Sequence, residues 1–354
     1  MNNLEKLSSN LKSHEALLII SSANRKHLTG FTSSAGYLVI GNNGSAFFTD
    51  SRYIEAASEK ITVCPTHLLR DFKEDVSEFI FQHGYRKIHI EAEKVTVSQL
   101  KFLEKNLKLC KIVSDGNLDK SIAKLREVKT EEEISKIRTA QKIAEKAFDD
   151  ILSFIKEGVS ELEIAARLEN IMRMNGSEGF AFDTIAITGK NTSKPHGVPT
   201  DNKVKKGDFI TMDYGAVFDS YRSDMTRTIA VGEVSSKQAE IYNTVLKAQE
   251  NSLSCLKSGV KCSDADKAAR DIIRNAGYGE FFGHSTGHGV GIDIHETPNL
   301  APKSKAILEA GNVVTVEPGI YLPGEFGVRI EDFVVITDTG YINLTSAPKN
   351  LIVL

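Results

Sequence analysis

Short apolar runs at residues 16–20, 37–40, 45–49 and 87–91 alternate with stretches of helical spacing at 71–82 and 97–107. Runs of that length and composition predict strands, so the first 120 residues are expected to form a mixed α/β domain. Asn42, Asn43 and Gly44 separate two of the runs. Residues that tolerate positive φ at such a place predict a hairpin turn between antiparallel strands.

After residue 120 the pattern changes. Thr130 followed by Glu133 has the spacing of a capping box, and Ile134, Ile137, Ala144, Phe148, Ile151 and Ile155 then recur at helical intervals until Gly158. Ser160 with Glu163 repeats the signal and opens a second amphipathic helix that runs to Asn175 and Gly176. Two domains, 1–120 and 121–354, follow from this change, and 354 residues suffice for a core in each.

The second domain repeats itself. A shift of 101 residues aligns ten identities between 147–181 and 248–282, among them Gly158 with Gly259 and Gly176 with Gly277. Chance would give about two. Beyond that window the likeness continues with a drifting register. His196-Gly197-Val198 answers His288-Gly289-Val290, the run 207–213 ending in Asp213 answers 311–317 ending in Glu317, and Arg222 before Asp224 answers Arg329 before Glu331. A helix–helix–strand unit used twice should give a pseudo-twofold domain with a site between its halves.

That symmetry gathers acids. Residues 209–213 and 224–229 both alternate as strands, and a turn at 216–221 would set Asp213 opposite Asp224. Residues 313–317 and 331–335 form a second such pair around Pro323-Gly324, with Glu317 opposite Glu331. Four carboxylates in a partly dry pocket repel one another unless cations neutralise them, and two divalent ions would balance four charges. His288 adds a nitrogen donor from the glycine-rich run 283–291. An oxygen-rich set with one imidazole favours Mn(II), then Co(II), Fe(II) or Zn(II). A two-metal centre holds a bridging water as hydroxide near neutral pH, the nucleophile that amide hydrolysis requires. Arg329 admits a plainer reading, a salt bridge to Glu331 or Asp332.

Composition narrows the partners. A net charge of −3 offers no electrostatic reason to expect nucleic acid or an anionic membrane. The opening residues lack the regions of a signal peptide and no apolar run reaches membrane-spanning length, so a cytoplasmic location is expected. Cys64, Cys110, Cys255 and Cys262 are scattered and expected to be reduced.

At Met212-Asp213-Tyr214-Gly215 with Asp224, Gly287-His288 through His295-Glu296, Val316-Glu317-Pro318-Gly319-Ile320-Tyr321 and Val328-Arg329-Ile330-Glu331-Asp332, the chain resembles the pita-bread metallopeptidases, the family of prolidase, aminopeptidase P and methionine aminopeptidase. Asn24 with 28–36 and Thr49-Asp50-Ser51-Arg52-Tyr53 are similar to the N-terminal domain of Xaa-Pro peptidases and creatinase. The resemblance implies an α+β fold, with a pseudo-twofold pita-bread domain of antiparallel sheet behind a smaller α/β domain. It implies Asp213 on one metal, His288 and Glu317 on the other, and Asp224 and Glu331 shared between them.

The implied reaction is hydrolysis of the bond between an N-terminal residue and proline. A tertiary amide without an N–H needs such a dedicated site. Glu317 would move the proton to the leaving nitrogen, while His295 and His196 would donate to the oxyanion. Tyr321, Arg329 and His284 would orient these groups. A homodimer is usual for such relatives, and the first domain is expected to limit substrate length. The alternatives are an aminopeptidase of broader specificity and a catalytically silent binding module.

Overall fold

The computed structural model describes residues 2–354, which divide into two compact units at Arg126/Glu127. The helix Asn117–Glu127 covers this boundary, so the expected division at 120 falls inside a helix. No described helix is long and apolar enough to cross a membrane.

In the first unit a six-stranded sheet runs in the order Thr66–Leu68, Ala46–Thr49, Tyr37–Gly41, Glu15–Ile19, Lys87–Ile90, Lys111–Val113. The two central pairs are antiparallel and the outer three parallel. Alternate residues of the central strands enter different cores: Ala16, Leu18 and Val39 pack on one face, and Leu17, Ile19, Leu38 and Ile40 on the other. Burial on both faces explains why these strands read as continuous apolar runs.

The expected hairpin is present, with Tyr37 opposite Phe48. Only Gly44 of its three turn residues takes a positive φ, +152°. The two asparagines act through their side chains instead, Asn42 donating to the Leu11 carbonyl and Asn43 to those of Ser13 and His83. The expected helix at 71–82 begins as a wide π-helix, Phe72–Ser77, before tightening into the α-helix Glu78–Gln82.

The second unit is built twice. Helices Glu131–Leu152 and Glu161–Met174 open the first half, and Ser236–Ser254 and Cys262–Asn275 open the second. Both expected capping boxes form, Thr130 with Glu133 and Ser160 with Glu163. The first half continues into a three-stranded sheet, Ile185–Thr188, Asp208–Tyr214 and Met225–Val231. The second continues into a five-stranded sheet ordered Glu296–Leu300, Gly287–Gly289, Val313–Val316, Asp332–Ile336, Tyr341–Asn343, with the ribbon Gly319–Leu322 and Phe326–Arg329 beside it. All these pairings are antiparallel.

The two halves meet along their hairpins. The Glu331 amide donates to the Thr226 carbonyl at 3.1 Å, and the Thr228 hydroxyl donates to the Arg329 carbonyl at 2.9 Å. This junction brings the acidic strand ends together.

Glycines matched by the repeat share a backbone conformation. Gly158 and Gly259 have φ of +89° and +87°, and Gly176 and Gly277 have +97° and +89°. At Gly158 and Gly259 a Cβ would meet nothing within 4 Å. The cost of alanine there is therefore purely conformational, about 1–2 kcal/mol at each position. Urea unfolding of Gly158→Ala and Gly259→Ala should show equal losses of that size. A difference of a full kcal/mol between them would mean that the two turns are not equivalent.

Candidate metal centre

Asp213 is the penultimate residue of the strand Asp208–Tyr214, and Asp224 immediately precedes Met225–Val231. Their pairing differs from expectation, because the register sets Thr226, not Asp224, opposite Asp213. The hairpin tip is a tight pair, Asp219 and Ser220, with φ of +44° and +69°. It lies one residue beyond the centre of the assumed turn, which moves every partner by two. Parity is preserved, so Asp213, Asp224 and Thr226 still share a face.

The other hairpin follows expectation. Val316 pairs with Asp332 and Gly319 with Arg329, and the same register sets Glu317 opposite Glu331.

His288 comes from the short strand Gly287–Gly289, which lies so close to Val313–Val316 that a Cβ on Gly287 would run into the Thr315 carbonyl oxygen. His288 Nδ1 lies 3.0 Å from the Gly289 carbonyl, which assigns the ring proton to Nδ1 and aims Nε2 at the acids. Nε2 is 3.3 Å from Glu317 Oε1 and 3.6 Å from Asp224 Oδ2. One donor atom from each of Asp224, His288 and Glu331 falls within 4.8 Å of the others, and all three residues are buried.

The electrostatics are those of crowded acids. Burial, reinforced by repulsion from Asp213 and Glu317, pushes Asp224 well above the carboxylate range. Burial and then Asp224, Glu317 and Asp213 do the same to Glu331. Burial raises Asp213 too, against the pull of Arg329. Burial works to raise Glu317, but the hydrogen bond and charge of His288 outweigh it and hold Glu317 low. For His288, burial works downward while Glu317 and Asp224 lift it to about 9. A proton on Nε2 thus occupies the place a cation would take, since ligation requires that nitrogen bare.

Two carboxylate oxygens, Asp213 Oδ1 and Glu331 Oε1, are buried without a hydrogen-bond partner. Orphaned carboxyl oxygens beside an imidazole nitrogen, whose protons a cation would displace, fit divalent cations. Asp213, Asp224, His288, Glu317 and Glu331 are the residues that could hold them.

Arg329 corrects one reading of the sequence. Its Nη2 lies 2.5 Å from Asp213 Oδ2, not against Glu331 or Asp332. Asp332 points to the other side, where Arg227 and Lys349 pair with it. Arg329 also donates to Tyr321 Oη at 2.9 Å, and that hydroxyl lies 2.9 Å from His284 Nε2. His284, Tyr321, Arg329 and Asp213 therefore form one connected row. Burial lowers His284 against the pull of Glu317, with Arg329 and His196 adding to the lowering.

His295 is exposed and packs edge-on against His288, with ring centroids 4.5 Å apart. His196 is also exposed, and its charge bears on both His284 and His295. Every candidate residue from the sequence thus belongs to one neighbourhood.

Two threonines were not singled out from the sequence. Thr226 donates to Glu331 Oε2 at 2.7 Å and accepts from Arg329 Nε at 3.0 Å. Thr315 accepts from the His288 amide at 3.0 Å and lies 3.3 Å from Glu317 Oε1. Both stand two residues from an acid on the same strand face, which was the available signal.

Two family models match the chain, the Creatinase/Prolidase N-terminal domain over residues 4–128 and Metallopeptidase family M24 over 135–338. An Xaa-Pro dipeptidase of Pyrococcus horikoshii is 37% identical over 96% of this chain and 94% of its own length. Among solved structures, an Xaa-Pro dipeptidase from Bacillus anthracis superposes with a TM-score of 0.94 at 39% identity, covering 99% of this chain and 98% of that one. An X-Pro aminopeptidase from Thermotoga maritima gives 0.93 at 36%, with both chains fully covered. The buried acids and imidazole, the doubled helix–helix–strand unit and these likenesses agree: the chain belongs to metallopeptidase family M24 and is a metal-dependent peptidase.

Proposed function

We propose that this peptidase hydrolyses the bond between an N-terminal residue and proline, with Asp213, Asp224, His288, Glu317 and Glu331 as the ligands of two divalent ions. The observation that carries the reading is the gathering of Asp224, Glu317 and Glu331 around His288, with one carboxylate oxygen each of Asp213 and Glu331 buried and unpartnered. Likeness to Xaa-Pro dipeptidases supports the substrate class. The oxygen-rich donor set favours Mn(II), with Co(II), Fe(II) or Zn(II) as substitutes. When bound, such ions supply a nucleophilic water at neutral pH and polarise the scissile carbonyl.

The protein's own groups do the rest. Glu317 accepts the proton of the attacking water and passes it to the proline nitrogen, which leaves only when protonated. His295 and His196, both exposed to the solvent side, donate to the carbonyl oxygen as it gains charge. Arg329 holds Asp213, while Tyr321 and His284 hold Arg329. We assign the chain to the cytoplasm as a homodimer; its four free thiols fit a reducing compartment.

The deciding experiment uses stripped protein reloaded with Mn(II), Co(II) or Zn(II) and assayed on Xaa-Pro dipeptides, Xaa-Pro-Yaa tripeptides and matched peptides without proline. Activity with proline, restored best by Mn(II), is expected. Faster cleavage of peptides lacking proline would sink the substrate assignment.

Asp213→Asn and Glu331→Gln each remove a ligand charge, so metal content and turnover should fall together. Two metals per chain with full turnover in either variant would overturn the ligand set.

His295→Ala should retain both metals and lose roughly 10²- to 10³-fold in kcat, the loss typical of a removed oxyanion donor. Parallel loss of metal and activity would instead make His295 a ligand.

The raised carboxyls also predict a pH signature. In metal-free protein Asp224 and Glu331 keep their protons above the unfolded carboxylate range, and His288 keeps its proton to about 9. The folded state then binds more protons than the unfolded chain, so its stability falls as pH rises. For His288 the contribution is complete below the unfolded value and is lost as pH rises through about 9. The melting temperature of stripped protein should therefore drop across this window relative to metal-loaded protein. A gap that stays constant with pH would refute the protonated-cluster picture.

A further inference from the structure

Glu161 is the first residue of the helix Glu161–Met174 and is fully buried. The capping box of that helix is made by Ser160 and Glu163, so Glu161 is not needed as a cap. Its carboxylate faces away into the segment that leads to and from His196. Oε1 accepts from the Thr188 amide at 2.8 Å, Asn191 Nδ2 at 2.9 Å and Asn202 Nδ2 at 3.3 Å. Oε2 accepts from the Thr200 amide at 2.9 Å and the Thr200 hydroxyl at 2.6 Å. All five donors are neutral.

A buried carboxylate is costly unless donors replace its water, and charge-assisted bonds to several donors do so. Here the donors come from both limbs of one loop, Thr188 and Asn191 before His196 and Thr200 and Asn202 after it. The later limb is also fixed by backbone bonds, Glu161 to Asn202 and Leu162 to Thr200, each at 3.0 Å. Across the gap the hold passes through side chains. Asn191, bound to Glu161 by its amide nitrogen, accepts from Lys194 Nζ with its oxygen at 3.1 Å, and Pro195 and His196 follow directly. The Pro195 carbonyl accepts from Arg329 Nη1 at 3.2 Å, so the same loop touches the group that holds Asp213.

We propose that Glu161 is the positioning residue of the 188–202 loop, presenting His196 to the substrate by clamping both limbs through a carboxylate that only donors can satisfy. The role given to His196 rests on the proposed hydrolysis of Xaa-Pro bonds; the clamp itself does not. Glutamine at 161 would turn an NH₂ toward donors, so an isosteric change should open the clamp.

The test uses the full-length, metal-loaded protein with Glu161→Gln, and Thr200→Val as a milder variant that removes one of the five bonds. Limited trypsin digestion reads the loop directly, because the exposed Lys190, followed by Asn191, lies in it, whereas Lys194 precedes Pro195 and is not cut. Cleavage there should rise at least tenfold in Glu161→Gln and less in Thr200→Val, with metal content unchanged. On an Xaa-Pro substrate kcat/KM should fall about 10- to 100-fold. In a His196→Ala background Glu161→Gln should add less than a further threefold, a lack of additivity that general destabilisation would not produce. Unchanged cleavage at Lys190 in both variants, or fully multiplicative kinetic losses, would overturn the proposal. Should Glu161→Gln fail to fold, Thr200→Val decides alone on the same two readouts. Wild-type protein inactive on Xaa-Pro peptides would instead reject the substrate assignment, a result the digestion would separate from failure of the clamp.

Discussion

Repulsion among four crowded acids, Asp224 and Glu331 buried and Asp213 and Glu317 nearly so, is the constraint around which the second unit is organised. Two unit charges 4 Å apart inside a protein cost about 4 kcal/mol at an effective dielectric of 20, before desolvation is counted. No flexible segment would hold such groups together. Each acid is therefore delivered by the end of an antiparallel strand, and the two hairpins are locked by the bonds between Thr226 and Glu331 and between Thr228 and Arg329. Strand alternation separates the neighbours Glu331 and Asp332, sending one to the metal centre and the other to Arg227 and Lys349. Those bonds brace the scaffold against the charges it gathers.

Around that rigid centre the groups proposed to meet substrate sit on irregular backbone. His295 and His196 are exposed, which suits donors that must reach a carbonyl brought in from solvent. The loop bearing His196 is held by a buried carboxylate, and the one bearing His295 by another, since Glu296 pairs with Lys129 at 3.1 Å and accepts from the Asp293 amide. In both places a carboxylate with several partners fixes the backbone beside the histidine.

Much of this was legible in the sequence because it rests on local rules. Capping boxes at Thr130 and Ser160 name their helix starts, and a duplicated glycine names its turn. The Glu317–Glu331 pairing was correct because Pro323-Gly324 marks the centre of its hairpin. The Asp213–Asp224 pairing was misplaced by two residues because nothing in the run 216–221 reveals which pair takes the left-handed conformation. Asp219 and Ser220 do so with their amides bound by Glu178, forty residues away. Arg329 could not be assigned a partner for a similar reason, as Asp213 is distant in sequence and reached only through the junction of the halves. The short strands Thr66–Leu68 and Lys111–Val113 carry too few buried apolar residues to declare themselves.

The duplication also shows how one framework acquires a directional site. Arg222 and Arg329 occupy equivalent positions, each two residues before an acid. Arg222 spends its guanidinium on backbone, donating to the carbonyls of Ile292, Phe180 and Ala181. Arg329 spends its own on Asp213, Tyr321 and Thr226. The paired histidines diverge in the same sense, since His288 is buried against the acids and His196 is exposed. The acids, by contrast, keep matching places in the repeat, Asp213 with Glu317 and Asp224 with Glu331, although their registers and partners differ. Symmetry is thus kept where charge must be balanced around a metal centre and broken where a peptide must be oriented. A substrate with one amino end and one scissile bond requires that break, because two identical faces would bind it in either direction.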